Sequence, residues 1–334
     1  MKKVIATALI LTLLFFLIPL ILPGPDRPEE GGGSSPPPSG QEQGHKADWE
    51  ELEGADTLRV LLDGEVREMS VNEYIWGVTA AEMPASFELE ALKAQAVAAR
   101  TYALRRAAVP NANHPNADVC GDHTCCQAYI SPEKAAANWG NNAEQNTAKI
   151  TRAVADTGME VIRYEGALID AVFHSSSAGY TQDAVAVWGG SVPYLVSVES
   201  PEGEEVPNFH SEVRLSAEKF RSTFLGSHPQ ANLGDDPKWW IGDAVKTSGG
   251  SVSRINIGGV LLQGSEVRSL FGLRSANFTV EAQGNEIVFK AAGYGHGVGM
   301  SQYGANAMAK DGKGYRDILS WYYTGITIEP YAGS

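Results

Sequence analysis

The sequence predicts an α+β fold: a main domain of helices and short strands, a smaller β-rich subdomain inserted in it, and one transmembrane helix in front. Three observations predict this. An uncharged apolar run opens the chain, and a Pro/Gly/Ser-rich tract separates it from the remaining residues. From Leu58 onward helical and alternating patterns interleave, until Gly-punctuated β-branched stretches take over between Phe209 and about Gln283. The expected organisation is therefore a cytoplasmic stub and anchor at 1–22, a disordered linker at 23–56, and an exported domain at 57–334 with the β-rich insertion at about 209–283.

Each element has its own justification. Lys2 and Lys3 precede the run Val4 to Leu22, which has about the length that crosses a bilayer core. A cleavable signal usually has a shorter apolar region ending at a small-x-small site, whereas Leu22 leads into Pro23, Gly24, Pro25 and Asp26. An uncleaved anchor is expected, with the lysines holding the N-terminus in the cytoplasm and the rest exported. The stretch GGGSSPPPSGQEQG cannot bury enough apolar surface to offset chain entropy and reads as a flexible tether. Leu58–Leu62 is a first strand. Ser70 caps a helix from Val71, with Glu73 completing a capping box. Pro84 stops that helix, and Ser86 is the expected cap of a second, Ala-rich one running to about Ala108. After a cysteine-bearing loop come a helix around Gln145 to Ala155 and strands at Val161–Tyr164 and Leu168–His174, turning at Glu165-Gly166. The insertion holds a short helix, Ala217–Leu225, and strands such as Ser251–Ile257 and Asn277–Glu281. The main domain then resumes with a strand at Glu286–Ala291, a glycine loop and two helices.

Charge narrows the function. Forty acidic against 26 basic residues give a net charge of −14. That balance argues against binding nucleic acid, which needs basic patches, and against adhesion to anionic lipid through basic segments. Three cysteines are too few for a disulfide scaffold, and an odd number cannot all pair in one chain.

The first helix carries the first chemical signal. Val71, Ile75, Val78 and Glu82 are spaced four, three and four, so a carboxylate ends an otherwise apolar stripe in the last helical turn. Desolvation and the negative end of the helix dipole both favour its protonated form. A protonated acid in an apolar setting is what a glycosidase needs to protonate a leaving oxygen. On spacing alone the commoner arrangement is a Glu whose stem packs while its head reaches water.

Longer motifs decide between these. Glu73-Tyr-Ile-Trp-Gly-Val-Thr-Ala-Ala-Glu-Met-Pro84, continued by Glu90 to Tyr102, Cys126-Gln-Ala-Tyr129, His174 to Tyr180 and Gly293 to Ala305, resembles the stage II sporulation protein D family in order along nearly the whole exported domain. The resemblance implies a lytic transglycosylase that cuts peptidoglycan glycan strands during engulfment of the forespore, with Glu82 as its acid. It also implies membrane anchoring, action in the intermembrane space of the sporangium, a sporulation amidase that strips stem peptides beforehand, and a membrane partner in the engulfment complex. In such chemistry one carboxyl protonates the glycosidic oxygen and then, as carboxylate, takes a proton from the muramoyl C6 hydroxyl, giving a 1,6-anhydro product. A hydrolase would need a second carboxylate, for which Asp170 and Asp183 are the candidates.

A second constellation lies in the cysteine loop: His114, Cys120, Cys125 and Cys126, with His123 nearby. On spacing, tetrahedral zinc and a disulfide are equally good readings in an exported domain. The family resemblance implies zinc held by a His, a Cys and an adjacent His-Cys pair. His114 and Cys120 match the first two, and Cys125-Cys126 stand where the adjacent pair is expected, with His123 the rival to Cys125. Four protein ligands make a closed, structural site.

The loop Gly293-Tyr-Gly-His-Gly-Val-Gly299 fits neither the dinucleotide nor the phosphate-loop spacing, since its glycines alternate and no Lys-Ser/Thr comes after them. It reads as backbone approaching a sugar, with His296, Gln302 and Tyr303 lining a cleft, or with His296 purely structural. His174, Ser175, Ser176 and Tyr180 suit a sugar equally, as do Gln95 and Arg100 on the Ala-rich helix; Lys93 beside them reads as a solvated face. The rival functions are a noncatalytic wall-binding enhancer of an N-acetylmuramoyl-L-alanine amidase and a zinc peptidase. No His-Glu-x-x-His motif supports the latter.

Overall fold

A computed structural model describes residues 56–332. The anchor expected at 1–22 and the linker up to residue 55 lie outside the described residues. Within them the fold is mixed α+β with several small sheets, and no helix is long and apolar enough to cross a membrane.

Thr57–Leu62 and Glu65–Ser70 form an antiparallel hairpin, with Thr57 opposite Ser70. Its two-residue turn, Asp63-Gly64, has φ of 52° and 85°, the left-handed geometry that lets a tight hairpin keep to the strand twist. Val119–Cys120 adds to the other edge of Thr57–Leu62 in parallel, so the cysteine loop starts from a sheet. Ser70 then caps the helix Val71–Glu82 in the capping box that the sequence predicts. The Ala-rich helix Leu89–Ala107 is the axis of the main core. Its alanines at 91, 94, 96, 98, 99 and 103 are all fully buried, and their small side chains let four other helices pack closely around it: Val71–Glu82, Ala143–Asp156, Gln302–Lys310 and Tyr315–Tyr322.

Several boundaries differ from those the sequence predicts. Glu88, not Ser86, is the N-cap of the Ala-rich helix; Ser86 sits in a turn closed by Phe87 N–H on the Pro84 carbonyl. Pro132–Trp139 is a helix absent from the expected elements, although Ser131 at the cap and Pro132 in the first turn announce it. The strand expected at Leu168–His174 is two. Ala167–Leu168 pairs with Glu160–Tyr164 across the Glu165-Gly166 turn, while Phe173–His174 pairs in parallel with Met300–Ser301. Between them the ladder stops because Asp170 N–H is bonded to the Tyr194 hydroxyl and its carboxylate to Arg105.

A second core is built from Ala217 to Ala291, with Phe220, Phe224, Phe271, Phe278 and Phe289 at its centre. The Phe220 and Phe271 rings stack at 4.7 Å. Two three-stranded antiparallel sheets surround it, Ile241–Lys246 with Val252–Ile257 and Val260–Gln263, and His210–Ser216 with Glu286–Ala292 and Phe278–Gln283. The strand Glu286–Ala292, expected in the main domain, therefore belongs here. Its alternate side chains Ile287, Phe289 and Ala291 all point into the second core.

Candidate functional site

Glu82 is the last residue of its helix, and Val71, Ile75 and Val78 on the same stripe are buried beneath it. Its side chain is half-buried in a cleft of about 340 Å³ lined also by Met83, Pro84, Trp139, Ser175, Gln302 and Tyr303. Among the described residues, Glu82 is the only acidic one in that lining. One oxygen, Oε1, accepts the Ala128 N–H at 2.7 Å. Burial raises the Glu82 pKa above the ordinary carboxylate range, outweighing that hydrogen bond and the charge of His123. The wall opposite is held by packing. The Tyr303 ring meets Phe87 edge-on at 4.9 Å, and Tyr303 N–H donates to the Ser175 carbonyl at 3.0 Å.

Of the residues expected to contact substrate, Ser175, Gln302 and Tyr303 line the Glu82 cleft; the others lie elsewhere. Gln95 is buried behind Gln302, whose Nε2 donates to Gln95 Oε1 at 3.4 Å. Arg100 is corrected to a core residue. It is fully buried, bonded to the Glu160 carbonyl, Asn72 and Thr157, and so ties its surroundings together out of reach of the cleft. Lys93 is not a solvated group either, since it bridges Glu90 and Asp156 at 2.9 and 2.8 Å. His174 is buried beneath the cleft, with Nδ1 facing the Val298 carbonyl at 3.2 Å and Nε2 facing Ser177 Oγ at 2.7 Å. Ser176 is buried and exchanges backbone hydrogen bonds with Tyr294. The His296 ring sits between those of His174 and Trp188, and Tyr180 is exposed beside Glu199. Asp170 is paired with Arg105, and Asp183 accepts the Ser197 N–H; neither lines the cleft. Two contributors go beyond the sequence-based expectation. Trp139 lies on the unforeseen helix, and the Ala128 N–H is a backbone group with no side-chain signal.

The cysteine loop closes into one cluster. A ligand atom from each of His114, Cys120, Cys125 and Cys126 lies within 4.8 Å of all the others. A tetrahedral zinc with metal–sulfur bonds of about 2.3 Å would have edges of about 3.8 Å, so a small contraction suffices. His114 Nδ1 faces the Ala117 carbonyl at 3.0 Å, which fixes the tautomer that leaves Nε2, 3.3 Å from Cys126 Sγ, able to bind a metal. The amides of Asn111 and Asn113 donate to Cys125 Sγ. His123 stays outside, its side chain 77% exposed. Burial pushes the Cys126 thiol up to about 12 and raises Cys120 as well. Hydrogen bonds from Asn113 and Asn111 help to lower Cys125, and a divalent ion, which would draw off the protons of the other two thiols, fits this donor set. The cluster also borders a cavity of about 700 Å³, which does not include Glu82.

The loop and the acid are joined. Cys120 carbonyl accepts the Tyr74 hydroxyl at 3.2 Å, Ile130 N–H bonds the Gly77 carbonyl, and Ala128, two residues beyond Cys126, holds Glu82.

Residues 63–164, which span both Glu82 and the cysteine cluster, match the family model described as Stage II sporulation protein. Stage II sporulation protein D of Bacillus amyloliquefaciens is 37% identical over 341 residues, covering 98% of this chain and 96% of that one. The protein of the same name from Bacillus subtilis (strain 168) is 36% identical over 343 residues with the same coverage. The amidase enhancer of Bacillus subtilis is 30% identical over 303 residues, covering 76% of this chain and 40% of that one. Identity at this level over almost the full length of both partners places the chain in the stage II sporulation protein D family.

Proposed function

We propose that this protein is a lytic transglycosylase that cleaves peptidoglycan glycan strands during engulfment, leaving 1,6-anhydro-N-acetylmuramic acid ends. The observation that carries this reading is Glu82: among the described residues the one acidic side chain lining its cleft, held at 2.7 Å by a backbone N–H, with its pKa raised by burial. Raised, it is a proton donor poised for acid catalysis. Glu82 protonates the oxygen between N-acetylmuramic acid and N-acetylglucosamine, and the C1–O bond breaks as positive charge develops at the anomeric carbon. The resulting carboxylate then takes the proton of the C6 hydroxyl, whose oxygen closes onto C1. Water is not consumed, so one carboxyl group suffices where a hydrolase uses two.

His114, Cys120, Cys125 and Cys126 would hold the zinc, which when bound supplies a cross-link for the loop. With four protein ligands this chain keeps the metal away from the bond being cut. The same reading puts the catalytic domain outside the membrane, tethered by 1–22 and working on strands that an amidase has stripped of stem peptides, beside a membrane partner.

The relative named an amidase enhancer favours one second reading, a wall-binding stimulator without catalysis of its own. Product masses separate the two. Purified protein incubated with amidase-treated sacculi should release anhydro-muropeptides; release of nothing, with amidase activity stimulated on addition, would establish the enhancer instead.

A further inference from the structure

Glu202 takes no part in the proton transfers proposed for Glu82, yet among the described acidic residues it is the buried one, 5% exposed. Its Oε1 accepts the Ser177 N–H at 2.6 Å and the Ser301 hydroxyl. Ser301 Oγ in turn accepts the Gly304 N–H at 3.2 Å, capping the helix Gln302–Lys310. Glu202 thus joins two segments far apart in sequence. One begins with Ser175 and the other continues into Gln302 and Tyr303, and all three of those residues line the Glu82 cleft.

The second oxygen, Oε2, is buried and unbonded. It lies over Gly304, where a Cβ would meet it at 2.6 Å and would also collide with Ser200 Oγ and the Tyr322 hydroxyl. Those two hydroxyls share one hydrogen bond at 2.7 Å. Only glycine at 304 admits this crowding, and the close approach puts the carboxylate against the positive end of a nine-residue helix. Burying a carboxylate is costly unless it is hydrogen-bonded, and here Oε1 accepts from both segments.

We propose that Glu202 is a positioning residue: it clamps the Ser175–Ser177 loop to the start of the helix Gln302–Lys310 and so sets the wall that faces Glu82. It does not line the cleft itself and acts through Ser175, Gln302 and Tyr303. That it serves glycan cleavage rests on the transglycosylase reading; that it clamps the two segments does not.

Hydrogen exchange and steady-state kinetics on the full chain test the two halves separately. Glu202→Ala should speed exchange of the Ser177 and Gly304 amides tenfold or more, about what release of a local contact permits. It should raise KM for glycan strands roughly ten- to a hundredfold, the signature of lost uniform binding, with kcat less affected and its pH limb unmoved. Glu202→Gln should restore slow exchange and most of the affinity, because one amide oxygen still accepts both the N–H and the O–H. Should the alanine variant not fold, Glu202→Asp, a methylene shorter, reaches only one of the two segments and gives the same readouts. Unchanged exchange in Glu202→Ala would overturn the clamp, and loss of the pH limb would make Glu202 an acid or base instead. Wild-type protein that opens no glycan bond would sink the transglycosylase reading while the exchange result stood.

Discussion

Glu82→Gln removes the exchangeable proton and little else, since the amide oxygen still accepts the Ala128 N–H at the same place. Cleavage should fall about 10²- to 10⁴-fold, the usual worth of a positioned general acid, while glycan affinity holds. Because the Glu82 pKa is raised, the active, protonated form is lost as pH rises through it. The rate should therefore decline on the alkaline side in wild type, and the residual rate of the variant should be flat there. The same shift makes the ionised carboxylate a burden on the fold. A group with a raised folded pKa gives stability that is present at low pH and lost as pH rises through that pKa, so Glu82→Gln should melt no lower than wild type at neutral pH. Equal activity of variant and wild type would move the acid elsewhere. At the cluster, Cys125→Ser should lower bound metal below one per chain by elemental analysis, and His123→Ala should leave it unchanged. The reverse pattern would exchange the two ligands.

At the scale of elements, the cysteine loop and the first helix form one unit. A Cβ on Gly77 would run into the Tyr129 ring and the Ile130 carbonyl, and Tyr129 stacks on Tyr74 at 5.9 Å. Gly77→Ala should accordingly cost about 1–3 kcal/mol, the range for forced overpacking, and should loosen the loop without touching a metal ligand. Chelation should do the same from the other end. Both treatments should lower Tm and activity together, because the Ala128 N–H that holds Glu82 lies two residues past Cys126. Activity lost at unchanged Tm on metal removal would assign the ion to catalysis. This coupling is only partly legible in the sequence. The capping box at Ser70, the apolar stripe ending in Glu82 and the cysteine spacing are local patterns, and each holds. The Ala128 contact is made by backbone, and the burial of Arg100 depends on which helices surround it, so no local pattern reports either. Trp139 is hidden by a short helix whose amphipathic period is only two turns long, although its Ser-Pro start is readable.

At the scale of the whole molecule the boundary of the second core shows the same limit. Glu286–Ala292 buries Ile287, Val288 and Phe289 in a row, and only its pairing partners, His210–Ser216 and Phe278–Gln283, say which core it joins. The seam between the cores carries two histidines, and it sets the last expectation. Burial, then the neighbouring His296, holds His174 down to about 3; burial, then the charge of Arg268, holds His296 down to about 4. In the unfolded chain both should titrate near 6.5. Between those limits the unfolded state binds more protons, so stability is full above about pH 6.5 and declines as pH falls. His174 alone should contribute a slope of up to about 1.4 kcal/mol per pH unit once the unfolded ring is protonated. His174 ties Val298 to Ser177, and His296 faces Arg268 of the second core, so the loss should be felt where the two cores meet. Thermal melts from about pH 7.5 to about 4.5, a window that brackets the unfolded pKa, should show Tm falling on the acid side. His174→Gln should flatten that limb even if it lowers Tm throughout. A Tm independent of pH over this window, in wild type as in the variant, would mean that these rings do not carry the acid sensitivity of the fold.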